Sequence, residues 1–123
     1  MYSPQLLDHF EHPRNPGDVE NPDATVQLEN PACGDVLKLT LRVAEGRIVD
    51  IRFRAKGCVP TMACGSLITE LAKGKELPEA SQIREHDVVD AIGGLPQASS
   101  HASQLAVDTL RAALKKLAGQ SRK

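Results

Sequence analysis

The sequence predicts an α+β fold: a three-stranded antiparallel sheet with one face covered by helices, and a long C-terminal helix. Three observations predict it. Residues 25–56 alternate apolar and polar side chains at period two, as strands with one buried face do. From Pro60 the spacing changes to helical, and residues 100–118 hold that spacing over the longest run in the chain. Helix, strands, then helices is the order of a small sheet covered from one side.

Taken in order, "SPQLLDHFEH" reads as a short helix, capped by Ser3, with Pro4 in the first turn and Leu6, Leu7 and Phe10 as its apolar stripe. Pro13 stops it, and "PRNPG" is a turn-rich connector. Val26 and Leu28 alternate with Thr25, Gln27 and Glu29 in a first strand. Leu37, Leu39, Leu41 and Val43 share one face of a second, opposite Lys38, Thr40 and Arg42. After the short "AEG" turn, Val49, Ile51, Phe53 and Ala55 alternate with Asp50, Arg52, Arg54 and Lys56, so the last two strands form a hairpin. Arg42, Arg52, Arg54 and Lys56 line its outer face, either as ordinary solvated charge or as a docking surface for an acidic partner. Cys64, Leu67, Ile68 and Leu71 form one stripe of the next helix, which Gly74 can end. Residues 78–92 read as one or two short helical pieces before Gly93-Gly94. In the last helix Ala102, Leu105, Ala106, Leu110, Ala113 and Leu117 keep helical spacing, with Ser100 as its cap and Gly119 following.

A chain of 123 residues supports one domain with one modest core. A formal net charge of −1 gives no basic field to gather nucleic acid or anionic lipid. Aromatic residues are limited to Tyr2, Phe10 and Phe53, too few for a base-stacking platform. No apolar run is of bilayer length, and the N-terminus lacks the basic-then-apolar pattern of a signal peptide. Three cysteines, an odd number without an export signal, favour a reducing cytoplasm and thiols free for metal or sulfur chemistry.

Candidate chemistry concentrates at few positions. Cys33 and Asp35 in "NPACGD" lie two apart before a strand, so in extended backbone both project to the same side. The pair can bind a cation; the alternative is a buried thiol beside a turn-forming acid. Cys58 follows the third strand and precedes a helix, whose positive end favours a thiolate. Because the second and third strands form a hairpin, Cys33 and Cys58 are expected at the same end of the sheet. Cys64 sits on an apolar helical stripe and reads as a small core residue. His101, at the start of the last helix, can complete a metal site with Cys33, Asp35 and Cys58, or be a solvated side chain. His9, His12 and His86 lack ligand-type neighbours and are expected at the surface.

The motifs "HPRNPG", "NPACGD", "KGC", "SLITELAKGK", "GGLP" and "SHAS", in this order over nearly the whole chain, resemble the iron–sulfur cluster assembly scaffolds, the IscU-type proteins and the NifU N-terminal domain. The resemblance implies a single scaffold domain over residues 1–119 with a tail over 120–123. It implies sulfur received from a cysteine desulfurase, a transient [2Fe–2S] cluster or Zn²⁺ held at Cys33, Asp35, Cys58 and His101, and cluster transfer to acceptor apoproteins. It further implies a platform rather than an enzyme, monomeric or weakly dimeric, without nucleic-acid or membrane partners.

Three departures stand out. The family "HCS" reads "HAS" here, with Ala102 in place of a cysteine. The family's chaperone-docking "LPPVK" reads "LPQAS" over Leu95–Ser99, which puts recognition by that chaperone in doubt. Cys64 stands where relatives carry a small polar residue. Three readings are therefore open: a scaffold using the four named ligands, one in which Cys64 supplies the missing thiol, and a degenerate zinc-binding or desulfurase-docking module.

Overall fold

The computed structural model describes residues 2–31 and 34–120. Helix α1 spans Pro4–Glu11. The Ser3 hydroxyl accepts the Leu6 N–H at 3.0 Å and donates to the Ile92 carbonyl, tying the start of the chain to a distant helix end. Its buried face is rotated from the expected stripe. Leu6 is buried, but Leu7 is 41% exposed and His9 is buried instead. Positions i and i+3 share a helix face, and the Leu6–His9 face is the one that meets the helix at residues 59–72.

Burial of His9, expected at the surface, is compensated by specific partners. Its Nδ1 lies 2.8 Å from Ser66 Oγ, which also accepts the Arg14 N–H at 2.8 Å. Nε2 lies 3.4 Å from Glu70 Oε1. Burial first, and the Arg14 guanidinium second, push the His9 pKa below its ordinary 6.5, against the opposing pull of Glu70 and Asp8. A depressed imidazole pKa means that the unfolded chain takes up the proton first, so stability is flat above pH 6.5 and falls as pH drops below it. Urea midpoints between pH 7.5 and 5.5 should therefore fall more steeply for wild type than for His9→Gln; parallel slopes would rule His9 out as the source. His12 and His86 are exposed, as expected.

The sheet has strand order β1-β2-β3, all antiparallel, from β1 (Ala24–Asn30), β2 (Asp35–Ala44) and β3 (Arg47–Lys56). Glu45 and Gly46 both take positive φ, 55° and 76°, as a two-residue hairpin loop with right-handed strand twist requires. Leu37, Leu39, Leu41, Ile51 and Phe53 are buried on one face, as the alternation predicts. Val49 is a correction: it is 44% exposed, and Ile48 is buried in its place. The register shifts between Arg42 and Val43, so Arg42 pairs with Asp50 while Val43 pairs with Ile48. Val49 is the extra residue of a bulge, and one extra residue flips side-chain parity beyond it.

The outer face is less bare than its charges suggest. Thr40 is buried where its Oγ1 accepts the Val19 N–H at 2.8 Å. Asp18 pairs with Arg54 at 2.7 Å and Lys38 at 3.2 Å. Asn15 and Gly17 exchange backbone bonds with Phe53, and Gly74 and Lys75 do so with Ile48, which shields the β3 edge.

Helices α2 (Val59–Ala72) and α5 (Ser100–Gln120) cover the apolar face, with α3 (Leu77–Ala80) and α4 (Glu85–Ala91) between them in sequence. Helix α2 lies so close to the sheet that a Cβ at Gly65 would sit 2.9 Å from Phe53 and 3.0 Å from Leu37. Ser100 is not the cap of α5: it is already helical, and a 3₁₀ turn over Gln97–Ser99 starts the helix from Pro96. Nor does Gly119 end it, since the helix continues to Gln120. Residues 121–123 lie outside the described residues. No described helix is long and apolar enough to cross a membrane.

Candidate metal centre

Three element ends meet at one end of the sheet. Asp35 is the first residue of β2, and the pairing of Val36 with Lys56 sets the end of β3 beside it. One residue past Lys56, Gly57 turns the chain at φ +136°, and Cys58 becomes the N-cap of α2. His101 comes in on the first turn of α5. The hairpin topology thus delivers Cys58 to the start of β2, as expected. Cys33 lies outside the described residues.

The Asp35 side chain organises the group. It is 3% exposed, and both oxygens are used. Oδ1 accepts the Cys58 N–H at 3.1 Å, capping α2 from outside because the Cys58 side chain makes no cap bond. Oδ2 accepts from the Thr61 hydroxyl at 2.9 Å and faces His101 Nε2 at 2.9 Å and Cys58 Sγ at 3.4 Å. Burial, the largest effect, pushes the carboxyl pKa up. The bonds from Thr61, the Cys58 backbone and thiol, and His101 outweigh it and hold the pKa below its ordinary 3.8.

One oxygen, one sulfur and one nitrogen donor lie within 4.8 Å of one another here. Metal–ligand bonds of about 2.0–2.3 Å give a tetrahedral site edges of roughly 3.3–3.7 Å. The Cys58 Sγ to Asp35 Oδ2 and Cys58 Sγ to His101 Nε2 edges, 3.4 and 3.7 Å, already have that length. Only the hydrogen-bonded Asp35 to His101 edge, 2.9 Å, has to open, by a few tenths of an ångström. A soft thiolate and a borderline imidazole beside one hard carboxylate suit Zn²⁺ or Fe²⁺ better than Mg²⁺ or Ca²⁺, which want all-oxygen sites. A groove of about 270 Å³ between the end of β1 and α5, lined in part by Asn30, Pro31, His101 and Gln104, gives access beside the imidazole.

Cys64 stands apart from this donor group. It is wholly buried on α2 and belongs to the apolar core. Burial, with a smaller contribution from the Cys58 charge, pushes its thiol up to about 12. Ala102 is also in the core, next to His101 in sequence but on the buried side of α5. Two residues of the site escape a reading of the sequence. Thr61 lies one turn after Cys58, so a helix starting at Val59 places it on the same face. Gly57 has the general signal of a glycine between a strand and a helix, but its need arises from Asp35, 22 positions away: a Cβ there would collide with Oδ1 and lie 2.7 Å from Cγ.

The sequence profile of the NifU-like N terminal domain matches residues 1–123. The iron–sulfur cluster assembly scaffold protein IscU 1 of Archaeoglobus fulgidus is 44% identical over 114 residues, covering 93% of this chain and 74% of its own length. IscU of Escherichia coli K12, of the same description, is 44% identical over 117 residues, covering 92% and 91%. Among solved structures, a nitrogen-fixing NifU-like N-terminal protein of Brucella abortus superposes with a TM-score of 0.77 at 16% identity, over 95% of this chain and 94% of that one, a likeness of fold. With the profile spanning the chain and identities of this size, the protein belongs to the NifU-like N-terminal domain family.

Proposed function

We propose that this protein is a platform on which an iron–sulfur cluster is assembled and from which it is passed on; the cluster is its cargo. The observation that carries the reading is the convergence of Asp35, Cys58 and His101 at one sheet end, in a chain of this family. Cys58 is the thiolate ligand, His101 the imidazole ligand through Nε2, and Asp35 the carboxylate. Cys33, two residues before Asp35 in sequence, supplies the fourth donor.

Binding a metal cation needs Cys58 as thiolate and a free lone pair on His101 Nε2. Asp35 Oδ2 touches both atoms, so before loading it holds them near ligand spacing. The sulfur comes from a cysteine desulfurase and the finished cluster goes to acceptor apoproteins, in a cytoplasmic setting. Zn²⁺ takes the same donors when iron is absent. In this reading the chain supplies ligands and orientation, and the chemistry is brought to it.

A second reading, a zinc-binding or desulfurase-docking regulatory module, is favoured by one feature. Ala102 has no thiol, and the Cys64 thiol is locked in the core. Anaerobic reconstitution with iron, sulfide and a cysteine desulfurase separates the two. The scaffold gives visible sulfur-to-iron charge-transfer absorption that decays on adding an acceptor apoprotein. Colourless protein holding stoichiometric zinc overturns cluster assembly and supports the module.

A further inference from the structure

We propose that Thr61 is a positioning residue of this centre, whose hydroxyl keeps the Asp35 carboxylate at ligand geometry once a metal is bound. The inference rests on the metal-site reading above and adds to it a residue that is not itself a ligand.

The hydroxyl makes an unusual choice of partner. A threonine inside a helix commonly turns its Oγ1 back to a carbonyl three or four residues earlier. Thr109 does this with Leu105 at 2.7 Å, and Thr69 with Ser66 at 2.7 Å. Thr61 instead lies 2.9 Å from Asp35 Oδ2 and 3.3 Å from Cys58 Sγ. It is 1% exposed, so close packing around the side chain leaves its hydroxyl little room to turn elsewhere.

What happens on loading separates Thr61 from the other partners of Asp35. Before loading, four groups among the described residues face the carboxylate: the Cys58 N–H, the Cys58 thiol, His101 Nε2 and the Thr61 hydroxyl. A metal bound to Cys58 Sγ and His101 Nε2 takes two of these away, since a thiolate carries no proton and a ligating nitrogen has none to donate. Among the described residues, the Cys58 N–H on Oδ1 and the Thr61 hydroxyl on Oδ2 are the donors that remain. Oδ2 is the oxygen nearest the other two ligand atoms, and a carboxylate oxygen can accept a hydrogen bond on one lone pair while binding a cation with the other. Thr61 therefore matters more to the loaded site than to the empty one. Donors that orient a ligating group are typically worth about 10–100-fold in metal affinity.

Cobalt titration monitored by sulfur-to-metal charge transfer and by the d–d bands tests this, with thermal melts of the metal-free proteins as the fold control. Thr61→Val keeps the shape and loses the hydroxyl. It should still fold cooperatively, melting several degrees lower for the lost hydrogen bond, bind Co²⁺ about 10-fold more weakly and show altered d–d bands. Thr61→Ser, which restores the oxygen, should recover wild-type affinity and bands. Thr61→Ala repeats the loss without a methyl against the carboxylate, should valine disturb the helix start. Wild-type affinity in both hydroxyl-free variants, or serine no better than valine, overturns the role of Thr61 and leaves the metal site standing. A wild-type protein that takes up no cobalt overturns the metal site and this inference with it.

Discussion

Replacing Cys58 with serine should abolish metal uptake while leaving the fold intact. The two halves of that expectation have separate causes. Cys58 contributes the one sulfur of the donor group among the described residues, and an alcohol oxygen does not replace a thiolate toward Zn²⁺ or Co²⁺ at neutral pH. Losing a ligand costs more than losing a supporting hydrogen bond, so affinity should fall by at least about 100-fold. The fold survives because the bond to Asp35 Oδ1 comes from the Cys58 backbone, which serine keeps. Serine is also a good N-cap residue, and Cys58 is the N-cap of α2.

The matched control is Cys64→Ala. Cys64 is in the core with its thiol pushed up to about 12, so the variant should keep the metal stoichiometry of wild type. Metal content of the purified proteins, with cobalt charge transfer as the second readout, decides the matter. Undiminished binding in Cys58→Ser would show the centre to be misassigned, and lost binding in Cys64→Ala would revive Cys64 as the substitute thiol.

The largest effect on stability is expected from Gly57→Ala, a change of one methyl. Gly57 takes φ +136°, where a side chain strains the backbone by about 1–3 kcal/mol. The new Cβ would collide with Asp35 Oδ1, and lie 2.7 Å from its Cγ and 3.1 Å from its Cα. One of those atoms is backbone in a paired strand, so the conflict cannot be relieved by swinging a flexible side-chain tip. Asp35 would have to leave, and its bonds to Cys58 and Thr61, each worth about 1 kcal/mol or more, would go with it. The sum is about 3–5 kcal/mol, a large share of the roughly 5–15 kcal/mol that domains possess. Urea unfolding of the metal-free protein should show it, with a melting temperature lower by about 10–20 °C. A loss under about 1 kcal/mol would mean that the carboxylate is not held where the structure has it.

These two changes also mark how far the sequence could be read. Cys58 was legible because its place follows from local pattern: alternation to Lys56, helical spacing from Pro60, and a short hairpin turn between β2 and β3. The same topology brought Asp35 to it. His101 needed the resemblance as well, since the approach of α5 to the start of β2 is a packing outcome spanning 66 positions. The chemical reason for Gly57 was not legible, because nothing near it in sequence demands a glycine; the demand comes from a carboxylate on another strand.

The errors have the same origin. His9 looks like a surface residue beside Asp8 and Glu11, and is buried because Ser66, 57 positions on, bonds it. Val49 obeys period two with Ile51 and Phe53, and faces solvent because a register shift inserts it as a bulge. Ser100 has the composition of a cap, but the chain enters α5 through a 3₁₀ turn.

By itself, the sequence determined the elements, their order and the hairpin that gathers Asp35 and Cys58, because side-chain periodicity and turn chemistry act over a few residues and need no partner. The tertiary structure alone decided which side chains become neighbours across the sheet end: the two oxygens of Asp35, the turned hydroxyl of Thr61 and the gap kept open at Gly57. Those are contacts between residues distant in the chain, settled by how buried polar groups find their hydrogen bonds once the core has closed.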